Sequence, residues 1–418
     1  MKRYPKYKDS GIKWIGEIPE HWVVRRLKFC LTLISQKTFP NSNLKYIGME
    51  NIESWSGNYI ESSIETDGQA NIFQKGDILF GKLRPYLAKV HLADFGGCCS
   101  SELLVYRSKI NNNKYLQKFL ITKGFIELID ASTYGAKMPR ANSLFIGNQL
   151  LTIPPLPEQQ SIVAFLEKET ANIDAYIKQR EHEISVLEEL KQAEIANAVT
   201  KGLNPDAKMK DSGIDWIGEI PEHWKCERIG SIYIENKHIN SDLSCNEAYK
   251  FNYGSLVRKD VDVNLEEVAD VYSKYTVITK NDIIINGLNL NYDFVTQRVA
   301  VVEKKGIITS AYVAITPREG VNSDYFGYLF KSMDAKKIFN GMGTGIRLTL
   351  GYSELKKQQI PIPPKDEQDL IVKNIKEKTA KIESYISLLK SEIERMHEYK
   401  QRLISDAVTG KIKVQNVL

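Results

Sequence analysis

One fifteen-residue stretch occurs twice in the 418-residue chain, and no other feature constrains the fold as tightly. Residues 8–22 read KDSGIKWIGEIPEHW and residues 210–224 read KDSGIDWIGEIPEHW, with Lys13 against Asp215 the only difference. The repetition continues at an offset of 209: IPPLPEQ at 153–159 matches IPPKDEQ at 362–368, IDAYI at 173–177 matches IESYI at 382–386, and AVT at 198–200 recurs at 407–409. The chain is therefore a tandem duplication of an element, a variable region, a proline stretch and a long polar–apolar segment. Two copies are too few for a solenoid. They suit a pseudo-twofold molecule made from one polypeptide.

The long segments, 158–200 and 367–409, are 43 residues each and contain neither Gly nor Pro. Prolines before each end an extended stretch and permit a helix to start. The first places Ile162, Leu166, Ile173, Ile177, Ile184 and Leu187 on one stripe. The second does the same with Ile371, Ile375, Ile382, Ile386, Leu389, Ile393, Met396 and Leu403. Spacings of three, four and seven put each set on one helix face. A helix of that length spans roughly 65 Å and cannot bury its stripe alone. Packing the two helices on each other is the economical solution, antiparallel if a twofold axis crosses them. The other solution folds each helix onto its own domain.

The variable regions, 23–152 and 225–361, carry β-rich runs such as DILF at 77–80 and DIII at 282–285. Short amphipathic helices are expected near 113–129 and 323–339. The expected fold class is α+β, with two globular domains joined by two long antiparallel helices in a coiled coil and a pseudo-twofold internal repeat. The boundaries are a first domain at 1–157, a first long helix at 158–200, a second domain at 201–364, and a second long helix with a C-terminal tail at 365–418. The domains share one plan: GDILFGKLR at 76–84 aligns with NDIIINGLN at 281–289, CSSELLV at 99–105 loosely with ITSAYVA at 308–314, and YGAKMPR at 134–140 with MGTGIR at 342–347. The framework repeats while the loop side chains change.

Composition excludes several classes. No run of eighteen apolar residues exists, so no membrane span is expected. The opening MKRYPKYKDS is charged and lacks the apolar core of a secretory leader. Five cysteines without a CxxC pair read as reduced thiols in a cytoplasm. Net charge is +5 but uneven: +8 over 1–157, −5 over 158–200, zero over 201–364 and +2 over 365–418. The first block suits attraction to a phosphate backbone.

Catalytic signatures are missing. Amine methylation on a base calls for an Asn/Asp-Pro-Pro-aromatic loop, and NPD at 204–206 lacks the second proline and the aromatic ring. No GxxxxGK[ST] loop is present to cradle a nucleotide. GMGTG at 341–345 follows an apparent helix rather than a strand and reads as a loop. The six histidines form no ligand-spaced pair; His21 and His223 lie in the repeated element and read as packing or hydrogen-bonding residues. The chain reads as non-catalytic.

The opening YKDSGIKWIGEIPEHW, the IPPLPEQ and IPPKDEQ stretches leading into long helices, and the two AVT helix ends resemble the specificity (S) subunit of type I restriction-modification enzymes, over nearly the whole chain. The resemblance implies a phage-defence complex. It implies two target-recognition domains, each reading one half of a split site in double-stranded DNA, and paired helices that act as spacer and as platform for two methyltransferase subunits. Restriction subunits would complete an ATP-dependent translocating nuclease. S-adenosylmethionine would belong to the methyltransferase subunits and ATP to the restriction subunits, with magnesium also expected in the partner subunits, leaving this chain without a cofactor. A coiled-coil scaffold that binds only proteins is the competing reading. Trp14, Ile15 and Trp22, with their twins Trp216, Ile217 and Trp224, are expected to pack each domain on its helix base.

Sequence readout needs donors and acceptors at base edges, with phosphate contacts for register. In the first domain, Lys82, Arg84 and Tyr86 follow a strand in a proline-stiffened loop, and Lys137, Arg140 and Asn142 form a second loop. In the second domain the corresponding loops carry Asn286, Asn289 and Asn291, then Thr344 and Arg347. Arginine reaches guanine O6/N7 and asparagine pairs with adenine N6/N7. Arg84 aligned with Asn289 implies two unlike half-sites. Solvation of exposed basic loops is the plainer alternative, and base or phosphate contact is left open for each residue.

Overall fold

Both long helices form, as Leu156–Lys201 and Lys365–Val408, in a computed structural model that describes residues 2–40, 44–62, 68–108, 110–135, 137–259, 265–291, 297–345 and 348–414. Each follows a short strand, Leu150–Ile153 or Gln359–Ile362, whose end is set by two prolines. Pro157 falls in the first turn, where its missing N–H removes no helical bond. No described helix is long and apolar enough to cross a membrane.

The chain divides into two compact units. One takes Met1–Glu181 with Lys390–Leu418, and the other takes His182–Leu389. The division cuts across the four consecutive segments read from the sequence. Each long helix is split near its middle, because its start belongs to one unit and its end to the other.

The first unit is built on an antiparallel sheet of four strands in the order Thr32–Ile34, Leu103–Arg107, Ile78–Gly81 and Val90–Leu92. A second sheet orders Lys37–Thr38, Ala70–Phe73, Gly97–Ser100 and Tyr46–Ile47, with only the last pair parallel. The single helix expected near 113–129 is two, Asn113–Leu120 and Lys123–Asp130. Thr122 breaks it: its backbone is extended, and its hydroxyl donates to the Phe119 carbonyl at 2.7 Å. A threonine that bonds locally offers the backbone an alternative to continuing the helix. Tyr115, Phe119, Phe125 and Ile126 are buried in one core with Ile78, Phe80 and Val90 of the sheet.

The second unit repeats that sheet strand for strand, as Tyr233–Glu235, Val313–Pro317, Ile283–Ile285 and Val299–Val301. In place of the second four-stranded sheet it has a hairpin, Tyr249–Asn252 with Ser255–Arg258, and a strand pair, Thr276–Ile278 with Gly306–Ile308. Its helix Ser323–Ala335 is capped by Asn322, as Asn112 caps the matching helix of the first unit. The expected helix at 323–339 ends earlier: Lys337 turns into the left-handed region (φ 57°), and a 3-10 turn, Ile338–Met342, follows.

The repeated motifs meet in one joint. Each fifteen-residue element is a hairpin, Tyr7–Asp9 with Glu17–Pro19 or Met209–Asp211 with Glu219–Pro221, ending in a fully buried tryptophan, Trp22 or Trp224. His21 Nε2 lies 2.8 Å from Glu158, and His223 Nε2 lies 2.8 Å from Glu367. The two histidines are therefore hydrogen-bonding residues. Tyr4 adds its hydroxyl to Glu158 at 2.5 Å, and Trp224 adds its Nε1 to Glu367 at 3.0 Å. The next residue completes the joint. Gln159 accepts from the Asn112 amide and donates to the Pro154 carbonyl, both at 2.9 Å; Gln368 does the same with Asn322 and Pro363 at the same distances.

The helix stripes point inward. In the first unit Ile162, Leu166, Ile173, Ile177 and Leu403 are buried, and Ile393 and Met396 pack against the same core. In the second, Ile184, Ile371, Ile375, Ile386 and Leu389 are buried, while Leu187 and Ile382 are half-buried. Polar pairs flank the stripe. In the first unit Lys400 donates to Asp174 at 2.6 Å and Tyr176 to Glu392 at 2.6 Å. In the second, Lys191 donates to Glu383 and Tyr385 to Glu183, both at 2.8 Å. Within each unit the partner numbers fall along one segment as they rise along the other, so the segments run antiparallel. The second set is the first with every number shifted by 209 and the helices exchanged.

Candidate nucleic-acid interface

In the first unit the strand Ile78–Gly81 runs out into Lys82, Leu83 and Arg84. Arg84 adopts a left-handed backbone (φ 49°, ψ 64°), which a residue with a Cβ rarely takes. The loop is stitched to the second one by backbone bonds: Arg84 N donates to the Pro139 carbonyl at 2.8 Å, and Ala141 N to the Lys82 carbonyl at 2.9 Å. The structure thus brings together the two loops that the sequence reading chose separately.

Their side chains are placed differently. Arg84, Tyr86, Lys137 and Asn142 are exposed, and Lys82 and Arg140 are half-buried. Arg84 Nη2 lies 3.4 Å from the Lys137 carbonyl. Arg140 is held by Glu102, which accepts from Nε and Nη2 at 3.1 Å each. Hydrogen bonding to that carboxylate raises the Arg140 guanidinium above its ordinary pKa. Asn142 Oδ1 accepts from Leu144 N at 2.8 Å and caps the helix Ser143–Asn148, so that oxygen is committed to the fold.

The second unit has the same junction. Ile283–Ile285 runs into Asn286, Gly287, Leu288 and Asn289, and Asn289 is again left-handed (φ 52°). Leu350 N donates to the Gly287 carbonyl at 2.9 Å, as Ala141 does to Lys82, and Leu290 N donates to the Leu348 carbonyl at 3.1 Å. Asn289 and Thr344 are exposed, while Asn286 and Asn291 are half-buried. Asn286 Oδ1 accepts from Leu288 N at 3.2 Å. Thr344 exchanges both backbone bonds with Thr349. Arg347 lies outside the described residues.

One backbone frame, set by left-handed turns at Gly76 and Arg84 or at Asn281 and Asn289, thus presents Lys82 and Arg84 in one unit and Gly287 and Asn289 in the other. An arginine fork donates only, whereas an asparagine amide donates and accepts. The two frames are alike, and the hydrogen-bonding groups they present differ.

Two basic residues under these loops escaped the sequence reading. Lys89 and Arg298 occupy matching places: Gly81 N donates to the Lys89 carbonyl at 2.8 Å, and Asn286 N to the Arg298 carbonyl at 2.9 Å. The available signal was a cation directly before a buried apolar strand, in KVHL at 89–92 and RVAV at 298–301. No group of three or more His, Cys, Asp or Glu side chains is arranged to hold a metal among the described residues.

The two-unit fold with its paired loops is that of a DNA-specificity protein. Residues 19–186 and 221–395 match the type I restriction modification DNA specificity domain, and the chain belongs to that family. It is a specificity component and not a catalytic one. The chain is 28% identical to the EcoDI specificity subunit of Escherichia coli over 52% of its own length and spans about half of that relative (51%). It is 26% identical to the putative MjaX specificity subunit of Methanocaldococcus jannaschii, covering 98% of each. Among solved structures, a chain from work on complex assembly and conformational transition of the type I R-M system superimposes with a TM-score of 0.71 at 17% identity, covering 94% of this chain and 99% of that one. The HsdS subunit from Thermoanaerobacter tengcongensis gives 0.51 at 18% identity, covering 94% and 98%. These likenesses show the fold.

Proposed function

We propose that each unit reads one half of a bipartite site in double-stranded DNA, and that the long helices dock two methyltransferase subunits. The observation that carries this reading is the shared loop junction with unlike side chains, Lys82 and Arg84 against Gly287 and Asn289. A duplicated frame suits two equal docking partners, and unlike tips suit two unlike half-sites. Lys82, Arg84, Tyr86, Lys137, Arg140 and Asn142 serve the first half-site; Asn286, Asn289, Asn291, Thr344 and Arg347 serve the second. Leu370 and Leu388, outside the buried stripe and about 60% exposed, support docking on the outer helix faces. Restriction subunits join the same complex in the cytoplasm. S-adenosylmethionine, ATP and magnesium belong to the partner subunits.

The test is methylation mapping by long-read sequencing. A host without methylation expresses the cognate methyltransferase with or without this chain. A split motif with two unlike halves, present only with this chain, is expected. No methylation with an active methyltransferase would reject the reading.

A further inference from the structure

Arg298 is 1% exposed, yet its guanidinium is not aimed at a surface ligand. Nη1 donates to the carbonyls of Asn286 at 3.0 Å and Leu288 at 2.8 Å, and Nη2 reaches the Asn289 carbonyl at 3.4 Å. One fork therefore holds three carbonyls of the second unit's loop from beneath. The Arg298 main chain is itself fixed, because its N–H donates to Asp334 Oδ2 at 2.7 Å, and Asp334 lies on the helix Ser323–Ala335. Asn289, at the tip, holds the uncommon left-handed backbone. Asparagine tolerates that conformation better than most residues, and the fork fixes the carbonyls on both sides of it.

The first unit solves the same problem differently. Its matching cation, Lys89, donates to the Met49 carbonyl at 2.7 Å and not to the loop of Lys82 and Arg84. That loop keeps the backbone bonds to Pro139 and Ala141, which have counterparts at Leu348 and Leu350 in the second unit, but the matching cation adds no fork beneath it.

We infer that Arg298 is a positioning residue for base readout by the second unit alone: its fork fixes where Asn286 and Asn289 meet the DNA. This rests on the bipartite-recognition reading. A lysine in its place keeps the charge and most of the volume, but its donors sit on one freely rotating nitrogen, so it cannot reproduce contacts that the guanidinium spreads over Nη1 and Nη2 in a fixed plane. Loosening the loop lets its side chains accept more than one base, and discrimination at a specified position falls by about tenfold.

The test compares wild type, Arg298→Lys and Lys89→Arg, each expressed with the methyltransferase partner. The readouts are the methylated motif and the hydrogen exchange of amides 286–291. The expected result for Arg298→Lys is one degenerate half-site, the other half-site as strict as in wild type, and faster exchange at 286–291 with residues 82–86 unchanged. Lys89→Arg leaves the second unit's half-site intact. Strict half-sites in Arg298→Lys overturn the inference while leaving bipartite recognition standing. So does a uniform fall in methylation with the motif unchanged, which is the signature of a merely structural arginine. A wild-type chain that yields no split motif removes the recognition reading and this inference together.

Discussion

The Tyr115 hydroxyl donates to the carbonyl of Val408 at 2.9 Å, although 293 positions separate them in the chain. Tyr325 does the same to Val199 at 2.8 Å. The last four carbonyls of a helix have no partner within it. In both units a tyrosine on a domain helix satisfies one of them, inside the repeated AVT stretch. Thr152 adds a second hydroxyl to Val408 at 3.2 Å. Tyr325→Phe is therefore expected to cost about 2 kcal/mol and Tyr115→Phe about 1 kcal/mol. Urea unfolding of each variant measures both; equal losses would contradict the backup by Thr152.

Burial raises the pKa of Tyr115 and Tyr325, and also of Tyr106 and Tyr233. Below pH about 10 these phenols are protonated in both folded and unfolded chains, and their contribution is complete. Above it the unfolded chain releases protons that the folded chain retains, so stability falls as pH rises. The urea midpoint should hold between pH 8 and about 9.5 and drop steeply beyond about 10.

Glu367 accepts from both His223 and the buried Trp224, whereas Glu158 accepts from His21 and Tyr4. Glu367→Ala leaves the Trp224 indole N–H without its acceptor, at about 1–3 kcal/mol. Glu158→Ala takes nothing from Trp22, whose Nε1 has no partner among the described residues. Tryptophan emission should shift in the first variant and stay constant in the second.

Lys137 is exposed, and its ammonium bonds to no side chain or carbonyl among the described residues. Lys137→Ala should weaken DNA binding by the whole complex and lower the salt slope of log K by about one, with unchanged unfolding. Affinity titrations between low and moderate salt decide it, and an unchanged slope would exclude a phosphate contact.

Ile386 is buried on the second long helix. Ile386→Asp places a carboxylate in that stripe, at a cost of about 3 kcal/mol or more. Methyltransferase association should fail and helical circular dichroism fall, while the sheet around Ile78 and Val105 in the first unit stays protected from exchange.

The duplicated EHW, EQ and AVT stretches, the two long helices and their apolar stripes were legible because periodicity and repetition are local properties of the chain. So was the correspondence of Arg84 with Asn289, which the shared left-handed backbone supports. The roles of Glu158 and Gln159 were not legible, since each acts on residues far away in sequence, Tyr4, His21 and Asn112. Nor was the break at Thr122, where a side-chain hydroxyl competes with an otherwise good helical pattern.

By itself, then, the sequence determined the elements and their duplication: which segments are helix, which face is apolar, which loops match. Only the tertiary structure decided who meets whom. It joined the start of one long helix to the end of the other within each unit, stitched two distant loops into one surface, and put Arg298 beneath one of them and not the other. The physical reason is that propensity and periodicity act over a few residues. A buried tyrosine, glutamate or arginine takes its partner from whatever backbone the packing delivers, and that is fixed by the path of the whole chain.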